Sequence, residues 1–305
     1  MAAWLVTGGS GFLGRHLLDL LKARCAADIE PIALGRRLPP GWPAGAFIVA
    51  DLDDPGATNR AIALAQPEVV FHLAGRMVPA TPEEMYRGNT LATVHLLDAL
   101  RALDRPVRLV IAGSAAELGP VPDGDLPVDE TWPCKPAGAY GLSKHLASVA
   151  GLAAGPPLQV IVARIFNPIG PGMPASLAFG RLARELTANG PIRLKAGGLE
   201  VRRDFIDARD VALALLALAL HATADRVYHV GTGQSRSIGE GLRHLIARSG
   251  REVVVEPDGM EPRGPLDSRA DIGRIAAETG WHPSISFERS LDDLWGSLCA
   301  GPGCD

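Results

Sequence analysis

The chain has 305 residues, a length that suits one large domain or two modest ones. Hydrophobic residues make up 47% of it and charged residues 21%, ordinary globular values that exclude wholesale disorder. The formal net charge is −4, and the sequence lacks the basic field that nucleic-acid-binding proteins carry.

The first half of the chain alternates short apolar runs with longer helical patterns. The expected strands are residues 4–6, 31–34, 47–49, 69–73, 107–112 and 160–165. The expected helices are residues 14–26, 55–65, 83–103 and 139–154. Short, fully apolar strands that alternate with helices are typical of a parallel sheet covered on both faces. The pattern therefore predicts an α/β fold with a doubly wound parallel sheet, a Rossmann domain.

The pattern changes after residue 167. A loop is expected at 168–172, a helix at 176–189, short strands at 192–196 and 203–206, and a buried helix at 210–221. The remainder is richer in Pro and Gly and less regular. We expect residues 1–168 to form the Rossmann domain, with the segment 202–230 packed back on it. A smaller, discontinuous C-terminal lobe would comprise residues 169–201 and 231–305.

A glycine-rich run, Thr-Gly-Gly-Ser-Gly-Phe-Leu-Gly at residues 7–14, follows the first expected strand and opens the first expected helix. Gly8 permits a tight turn, Gly11 lets the backbone approach a pyrophosphate, and Gly14 allows the helix to pack closely on the strand. The helix N-terminus supplies N–H donors to the phosphates. A glycine turn without a ligand is the alternative. In this context the run predicts dinucleotide binding by Gly8, Ser10, Gly11, Phe12, Leu13 and Gly14.

The residues after the second expected strand distinguish NAD from NADP. An acidic residue there binds the ribose 2′-hydroxyl of NAD, whereas arginines accommodate the 2′-phosphate of NADP. The sequence has Arg36 and Arg37 and no acid, which favours NADP(H) over NAD(H) unless the two arginines are only a solvated surface pair. Asp51 and Leu52 follow the third expected strand and would suit the adenine edge, with a helix N-cap as the alternative for Asp51.

Three residues form a candidate catalytic set. Ser114 follows the strand 107–112, at the carboxyl end where open α/β sheets bind ligands. Tyr140 and Lys144 lie four residues apart in the helix 139–154, hence on one face, although such a pair alone can be a surface aromatic beside an ammonium. A free phenol has a pKa of ~10, and a lysine ammonium and a nicotinamide cation would lower it. We expect Ser114 to hold the substrate oxygen and Tyr140 to transfer the proton that accompanies hydride.

With these motifs the chain resembles the extended short-chain dehydrogenase/reductase family, the NAD-dependent epimerase/dehydratase group that acts on nucleotide sugars. The resemblance covers about residues 4–298 and includes His72-Leu73-Ala74, Asn89-Thr90 and the run 164–172. It implies that Asn167 lies near the nicotinamide and sugar. It also implies cofactor contacts at Leu73, Ala74, Gly75, Asn89, Tyr140, Lys144 and Ile165.

Residues 198–210 are similar to the GDP-mannose branch of this family, which holds 4,6-dehydratases and 4-keto-6-deoxymannose reductases. In that branch the counterparts of Arg203 and Arg263 would bind the diphosphate, which suits a bidentate guanidinium. The alternative is that these arginines pair with Asp204 or Asp267 inside the protein.

The residues after Ser114 bear on which reaction the resemblance implies. Family dehydratases place one or two acidic residues there, whereas this chain has Ala115 and Ala116, and Glu117 comes one position late and is expected to face elsewhere. The resemblance therefore favours reduction of a 4-keto group by NADPH, with GDP-4-keto-6-deoxy-D-mannose as the expected substrate. A 4-epimerase that retains its NAD(P) is the first alternative. A non-catalytic NADP-binding regulatory protein is the second.

The sequence also carries expectations about location and assembly. The four cysteines are scattered, which indicates a reducing compartment and no metal site, and neither a signal peptide nor a stretch long enough to span a bilayer is present. We expect a cytoplasmic protein with no membrane or nucleic-acid partner. In the family, the helices near 89–103 and 139–154 often form a homodimer interface. The apolar residues available for it, unless they pack on the sheet, are Leu91, Val94, Leu97, Leu146 and Val149.

Overall fold

The computed structural model describes residues 2–24, 29–77, 79–188, 191–257, 259 and 266–299. Within these ranges the strands are β1 (Ala2–Thr7), β2 (Ile29–Gly35), β3 (Phe47–Val49), β4 (Val69–His72), β5 (Val107–Ser114), β6 (Leu158–Ile165), β7 (Asn167–Ile169), β8 (Ile192–Lys195), β9 (Arg202–Asp207), β10 (Arg226–Val230), β11 (Ser235–Ser237) and β12 (Val253–Glu256). The helices are α1 (Phe12–Arg24), α2 (Pro55–Ala65), α3 (Pro82–Met85), α4 (Ala92–Arg101), α5 (Ala139–Leu152), α6 (Ala178–Glu185), α7 (Ala208–His221), α8 (Ile238–Ser249), α9 (Gly273–Thr279) and α10 (Phe287–Cys299).

Seven of these strands form one parallel sheet in the order β10-β6-β5-β4-β1-β2-β3. The predicted doubly wound fold is confirmed, and β10 adds a seventh strand to the six that the sequence predicted. The strand order reverses between β1 and β4. Ligands bind doubly wound sheets in the crevice at such a reversal, outside the carboxyl ends of the strands.

Helices cover both faces of the sheet. On one face α1 packs against α7, and the core there includes Leu17, Leu21 and Leu215, each fully buried. On the other face α2 and α4 cover Leu5 and Val70. Burial of each large aliphatic side chain contributes ~1.5–3 kcal/mol, so the sheet is stabilised from both sides. In the structure α7 packs against α1 and against β5 and β6.

The helix predicted at 83–103 is divided in the structure. A capping box between Thr81 and Glu84 starts α3, and a π-helical turn, Tyr86–Leu91, separates α3 from α4. The turn contains Asn89, whose side chain is 1% exposed. Single π-helical turns inside helices are frequent at functional sites, where they redirect a side chain.

The second half of the chain differs more from the prediction. Residues 167–169 lie partly in the predicted loop but form β7, at the edge of a small sheet ordered β11-β9-β7. Pro168 cannot donate to a strand ladder, which explains the edge position. The predicted helix 176–189 is shorter, since α6 ends at Glu185. The amphipathic helices α8 and α10 were not predicted, although Ser237 and Glu240 form the capping box of α8.

A separate hydrophobic core lies in the second half of the chain. It is centred on Phe179, Phe205 and Phe287, whose ring centroids are 4.9–5.7 Å apart. Phe205 belongs to β9, a strand that the sequence placed with the Rossmann domain, so β9 contributes to this second core. We propose that the smaller lobe comprises residues 169–201 and 231–305, with β9 packed against it. Within the described ranges no helix combines the length and the apolar character that crossing a membrane requires.

Candidate active site

The glycine turn after β1 lies against the end of β4. Gly8 has φ +71°, and a Cβ there would be 2.6 Å from the backbone nitrogen of Ala74. A Cβ on Gly14 would be 2.2 Å from the carbonyl oxygen of Gly8. Only glycine fits these two positions, and α1 begins at Phe12, immediately after the turn. The residues present therefore fit a dinucleotide pyrophosphate at the N-terminus of α1.

A buried histidine lies beneath this turn. His72 Nδ1 is 2.8 Å from the Thr7 hydroxyl, and its Nε2 is 2.9 Å from the Thr93 hydroxyl. Thr93 donates its only hydroxyl proton to the Asn89 carbonyl, so it accepts from His72 Nε2–H, and Nδ1 accepts from Thr7. Burial lowers the pKa of His72 to about 3, with the charge of Lys144 acting in the same direction, so the ring is neutral. The sequence offered His72 only as part of a family motif.

The two candidate phosphate-binding arginines follow β2. Arg36 and Arg37 are exposed, and Arg36 Nη1 lies 3.9 Å from Asp51 Oδ2. A pair this long between exposed groups is weak, so the Arg36 guanidinium stays available to a 2′-phosphate. The structure brings together Arg36 and Asp51, which the sequence assigned to different parts of the cofactor. Leu52 is 6% exposed, and its carbonyl accepts a hydrogen bond from His95.

The side chains of Ser114 and Tyr140 meet at the carboxyl end of β5. Ser114 is the last residue of β5, Tyr140 and Lys144 lie in the first turns of α5, and the Ser114 hydroxyl lies near enough to the Tyr140 phenol to lower the pKa of the phenol. Lys144 is 8% exposed on the same face of α5. The three predicted catalytic residues therefore come together at one edge of the crevice between β1 and β4.

The surroundings of Tyr140 and Lys144 shift the pKa values of these two residues in directions that the sequence did not predict. Burial raises the pKa of Tyr140, the nearby Ser114 hydroxyl opposes this, and the charge of Glu117 raises the pKa further. Burial lowers the pKa of Lys144, with Glu117 opposing. The predicted lowering of the Tyr140 pKa by Lys144 is therefore not found. The phenol stays protonated in the neutral range unless a further positive charge is added.

Asn89 connects two parts of the site. Its Oδ1 accepts from the backbone N–H of Arg76 at 2.7 Å, and its Nδ2 donates to the Arg76 carbonyl at 2.9 Å and to the Ser143 hydroxyl at 2.8 Å. Both N–H donors are used inside the protein. The Asn89 side chain therefore holds the segment after β4 against α5, beside Lys144. Leu73, Ala74 and Gly75, predicted to contact the cofactor, lie in this segment.

Two of the predicted substrate residues, Asn167 and Arg203, lie on β7 and β9. Asn167 Nδ2 donates to the Asp204 carbonyl at 3.1 Å. Arg203 donates to the Arg202 carbonyl at 2.7 Å, and burial lowers its pKa while the nearby Asp267 charge opposes this. Asp267 forms its ion pair with Arg269, at 2.7 Å. Arg263 lies outside the described residues. Ile165 is the buried last residue of β6.

Asp204 is a structural centre that the sequence did not single out. Its carboxylate is fully buried and accepts hydrogen bonds from the backbone N–H groups of Thr232, Gly233 and Ala270 and from the Thr232 hydroxyl. Asp204 therefore ties β9 to two later segments of the chain. The sequence allowed a pair between Arg203 and Asp204, but the Asp204 carboxylate is already occupied by these four hydrogen bonds.

A sequence profile of the NAD dependent epimerase/dehydratase family matches residues 4–231. The chain belongs to this family. Two relatives cover almost its whole length. A GDP-6-deoxy-D-mannose reductase of Pseudomonas aeruginosa is 34% identical over 303 residues, which are 94% of this chain and 93% of the relative. A dTDP-6-deoxy-L-talose 4-dehydrogenase (NAD(P)(+)) of Kitasatospora kifunensis is 30% identical over 309 residues, 97% of this chain and 96% of the relative.

A solved structure of a family member has the same architecture. The structure of RMD from Pseudomonas aeruginosa complexed with NADPH is similar with a TM-score of 0.86 and 30% sequence identity. The match covers 98% of this chain and 99% of that one. The fold predicted from the sequence and the resemblance to the epimerase/dehydratase family are both confirmed.

Proposed function

We propose that this protein is an NADPH-dependent reductase of the 4-keto group of a nucleotide-linked 4-keto-6-deoxy sugar, with GDP-4-keto-6-deoxy-D-mannose as the leading candidate. The observation that carries the proposal is the meeting of Ser114, at the end of β5, with Tyr140, at the start of α5, beside the crevice that the glycine turn borders. The two relatives described above, a nucleotide-sugar reductase and a nucleotide-sugar 4-dehydrogenase, support the same reaction class.

In this proposal the chain's residues handle the oxygen and the proton. Bound NADPH would supply the hydride to C4 of the sugar. The Ser114 hydroxyl holds the O4 carbonyl oxygen, and the Tyr140 phenol donates its proton to that oxygen as the carbonyl becomes a hydroxyl. Lys144, on the same face of α5, keeps its predicted role as a cofactor contact. A proton from solvent then restores the phenol.

The raised pKa of Tyr140 favours reduction over epimerisation. A reductase begins turnover with a protonated phenol, whereas a 4-epimerase begins by removing a proton from the sugar hydroxyl and needs the phenolate. Burial and the charge of Glu117 both favour the protonated form. Ala115 and Ala116, which have no ionisable side chain, also disfavour a 4,6-dehydratase.

The cofactor preference rests on the end of β2. Exposed Arg36 and Arg37 offer charge-assisted hydrogen bonds to a 2′-phosphate, and the segment carries no acid of its own for a 2′-hydroxyl. We therefore infer NADPH rather than NADH. For the remaining cofactor contacts we keep the residues that the sequence predicted. Asn89 would act by holding the backbone of Arg76, and its side chain would not itself bind the cofactor.

A homodimer in the cytoplasm completes the proposal. Leu91, Leu142, Leu146 and Val149 are 37–48% exposed along the π-helical turn and α5, and so form an apolar face. Of the residues expected at this interface, Leu97 is 2% exposed and belongs to the core beneath the sheet, so it is not available. The other apolar residues of the face would pack against the same helices of a second copy.

The test is consumption of NADPH with GDP-, dTDP- and UDP-linked 4-keto-6-deoxy sugars, followed by absorbance. We expect stoichiometric oxidation of NADPH, fastest with the GDP-linked sugar. Conversion of a sugar without net loss of NADPH would instead identify an epimerase. Binding of NADPH without turnover of any of the three sugars would favour the regulatory alternative.

A further inference from the structure

A buried carboxylate supports the turn that follows Ser114. Glu117 is fully buried, and its Oε1 accepts a 2.7 Å hydrogen bond from the backbone N–H of Ser114. In return, the Ser114 hydroxyl oxygen accepts from the backbone N–H of Ala116 at 3.2 Å. These reciprocal bonds form a capping box around the short turn after β5. The backbone at Ser114 is therefore fixed by Glu117.

An arginine holds the other oxygen of this carboxylate. Arg164, on β6, places its Nη2 3.4 Å from Glu117 Oε2 and 3.1 Å from Cys134 Sγ. Its Nη1 lies 3.1 Å from Nε2 of His229, whose Nδ1 donates to the Val128 carbonyl. The Arg164 side chain is 4% exposed, so the ion pair is buried. Buried pairs are retained where they fix one geometry or supply a charge, since apolar replacements are often as stable.

The same cluster has the donor atoms of a metal site. Glu117, Cys134 and His145 place one ligand atom each within 4.8 Å of one another. The Arg164 guanidinium, however, already contacts two of these three groups. A fixed cation at this position repels a second one, so the cluster works as an ion pair.

Glu117 is charged at neutral pH. Burial alone would raise the pKa of Glu117, but the contacts with His145 and Arg164 and the Ser114 N–H outweigh it, and the net pKa lies below the ordinary value. Its charge therefore acts on the neighbouring groups. The ionisable groups that face it are Arg164 from β6, Lys144, Tyr140 and His145 from α5, Cys134 from the loop before α5, and His229 from β10.

We propose that Glu117 is a positioning residue of the reductase, which fixes the backbone of Ser114 and keeps Tyr140 in the protonated form that donates to the substrate. The inference rests on the proposed function, because it is reduction that needs a protonated phenol at the start of turnover. The negative charge disfavours a second negative charge on Tyr140 and favours the ammonium of Lys144. Both effects prepare the site for proton donation.

The direct test is the titration of Tyr140 in the protein saturated with NADP⁺. The chain has three tyrosines, so subtracting the absorbance titration of the Tyr140→Phe protein isolates this phenol. Glu117→Gln keeps a carbonyl oxygen for the Ser114 N–H and removes the charge. We expect the Tyr140 midpoint to fall by about one pH unit. The alkaline limb of kcat for NADPH oxidation should move by the same amount, with KM little changed.

Asp210→Asn is the matched control, because Asp210 is another fully buried carboxylate and is bonded to Ser284 and Ile285. It should leave the Tyr140 midpoint in place. If Glu117→Gln does not fold, the double variant Glu117→Gln, Arg164→Gln removes both buried charges together and should still lower the midpoint, by less.

The role of Glu117 would be overturned if the Tyr140 midpoint in Glu117→Gln, or in the double variant where the single one does not fold, is unchanged or higher. It would also be overturned if the midpoint falls by the same amount in Asp210→Asn. A lower midpoint in a protein that reduces no 4-keto sugar would retain the effect of Glu117 on Tyr140. That result would overturn the reductase assignment instead.

Discussion

Asn89 donates a 2.8 Å hydrogen bond to the hydroxyl of Ser143, the residue that precedes Lys144 in α5. The same side chain makes two hydrogen bonds to the backbone of Arg76, so the segment after β4 and the catalytic helix share one buried support. The proposed proton donor therefore depends on an amide that does not itself transfer a proton.

Removing this support should weaken the fold and the site together. We expect Asn89→Ala to lower the free energy of unfolding by about 2–4 kcal/mol, because it leaves the partly buried backbone N–H and C=O of Arg76 and the buried Ser143 hydroxyl without their partner. Urea unfolding measures this loss. The control Thr90→Val removes a single hydrogen bond to the Ser143 carbonyl and should cost about 1 kcal/mol. Equal losses in the two variants would contradict the role assigned to Asn89.

Removing the phenolic hydroxyl should abolish turnover and leave cofactor binding intact. For Tyr140→Phe we expect the rate of NADPH oxidation to fall at least 10²-fold, roughly the contribution of a general acid, with an unchanged dissociation constant for NADPH. Steady-state kinetics and fluorescence titration measure the two quantities. Tyr86→Phe serves as the control and should keep full activity. Substantial turnover by Tyr140→Phe would show that another group supplies the proton.

The two exposed arginines should distinguish the cofactors. We expect Arg36→Ala combined with Arg37→Ala to weaken NADP⁺ binding by roughly 10–100-fold, the effect of losing one or two charge-assisted hydrogen bonds. NAD⁺ binding should change little, since that cofactor has no 2′-phosphate. Calorimetric titration with both cofactors tests this. Equal losses for NADP⁺ and NAD⁺ would place the arginines elsewhere on the dinucleotide.

Two buried histidines should make the protein sensitive to acid. Burial lowers the pKa values of His72 and His229 to about 3, from an ordinary value of 6.5. The unfolded chain binds these protons near pH 6.5 and the folded protein only near pH 3. The contribution of the two histidines to the free energy of unfolding is therefore complete above pH 6.5. It is lost as the pH falls towards 3, at about 1.4 kcal/mol per pH unit for each histidine.

Urea unfolding between pH 6 and 4 measures that slope. His229→Gln should reduce it by about 1.4 kcal/mol per pH unit, because one of the two protonation differences is removed. The exposed His221 provides the control variant His221→Gln, which should keep the parent slope. If His229→Gln shows the same slope as the unsubstituted protein, the His229 ring is already protonated in the folded protein.

The apolar face of α5 should govern assembly. We expect Leu146→Asp to convert a dimer to a monomer, because a charge would be buried at the centre of the interface. Light scattering after size exclusion gives the mass. Leu220→Asp changes a leucine that is 52% exposed on α7 and should leave the dimer intact. A monomeric mass for the unsubstituted protein would contradict the proposed homodimer.

The sequence predicted those parts of the site that local chemistry determines. The glycine turn was recognisable because Gly8 and Gly14 are required by backbone contacts within a single strand–turn–helix unit. Tyr140 and Lys144 were recognisable from their spacing on one helix, and Ser114 from its place at a strand end. The family resemblance then supplied the reaction class.

The remaining contacts depend on which distant segments meet. From the sequence, Glu117 was expected to face away from the reacting groups. In the structure its carboxylate points inward, contacts Arg164 on the neighbouring strand and accepts from the backbone N–H of Ser114. Asn89 was expected to touch the cofactor, whereas its donors are used by Arg76 and Ser143. Ser114 and Glu117 have the Ser-x-x-Glu spacing of a capping box, a local signal that the prediction from sequence did not use. No spacing rule joins Glu117 to Arg164 or Asn89 to Arg76 and Ser143, since the packing of the sheet and helices alone brings these pairs together.

The four hydrogen bonds that converge on the Asp204 carboxylate restrict how this enzyme can be dissected. A fragment ending near residue 230 would retain the whole seven-stranded sheet but would strip the aspartate of the donors from Thr232, Gly233 and Ala270. The fragment would then lack the donors that hold this carboxylate, whose pKa burial already raises, and the end of β9 would lose its anchor. Truncation is therefore a poor way to isolate the nucleotide-binding half, and chimeras between relatives should exchange residues 204, 232–233 and 270 as one block.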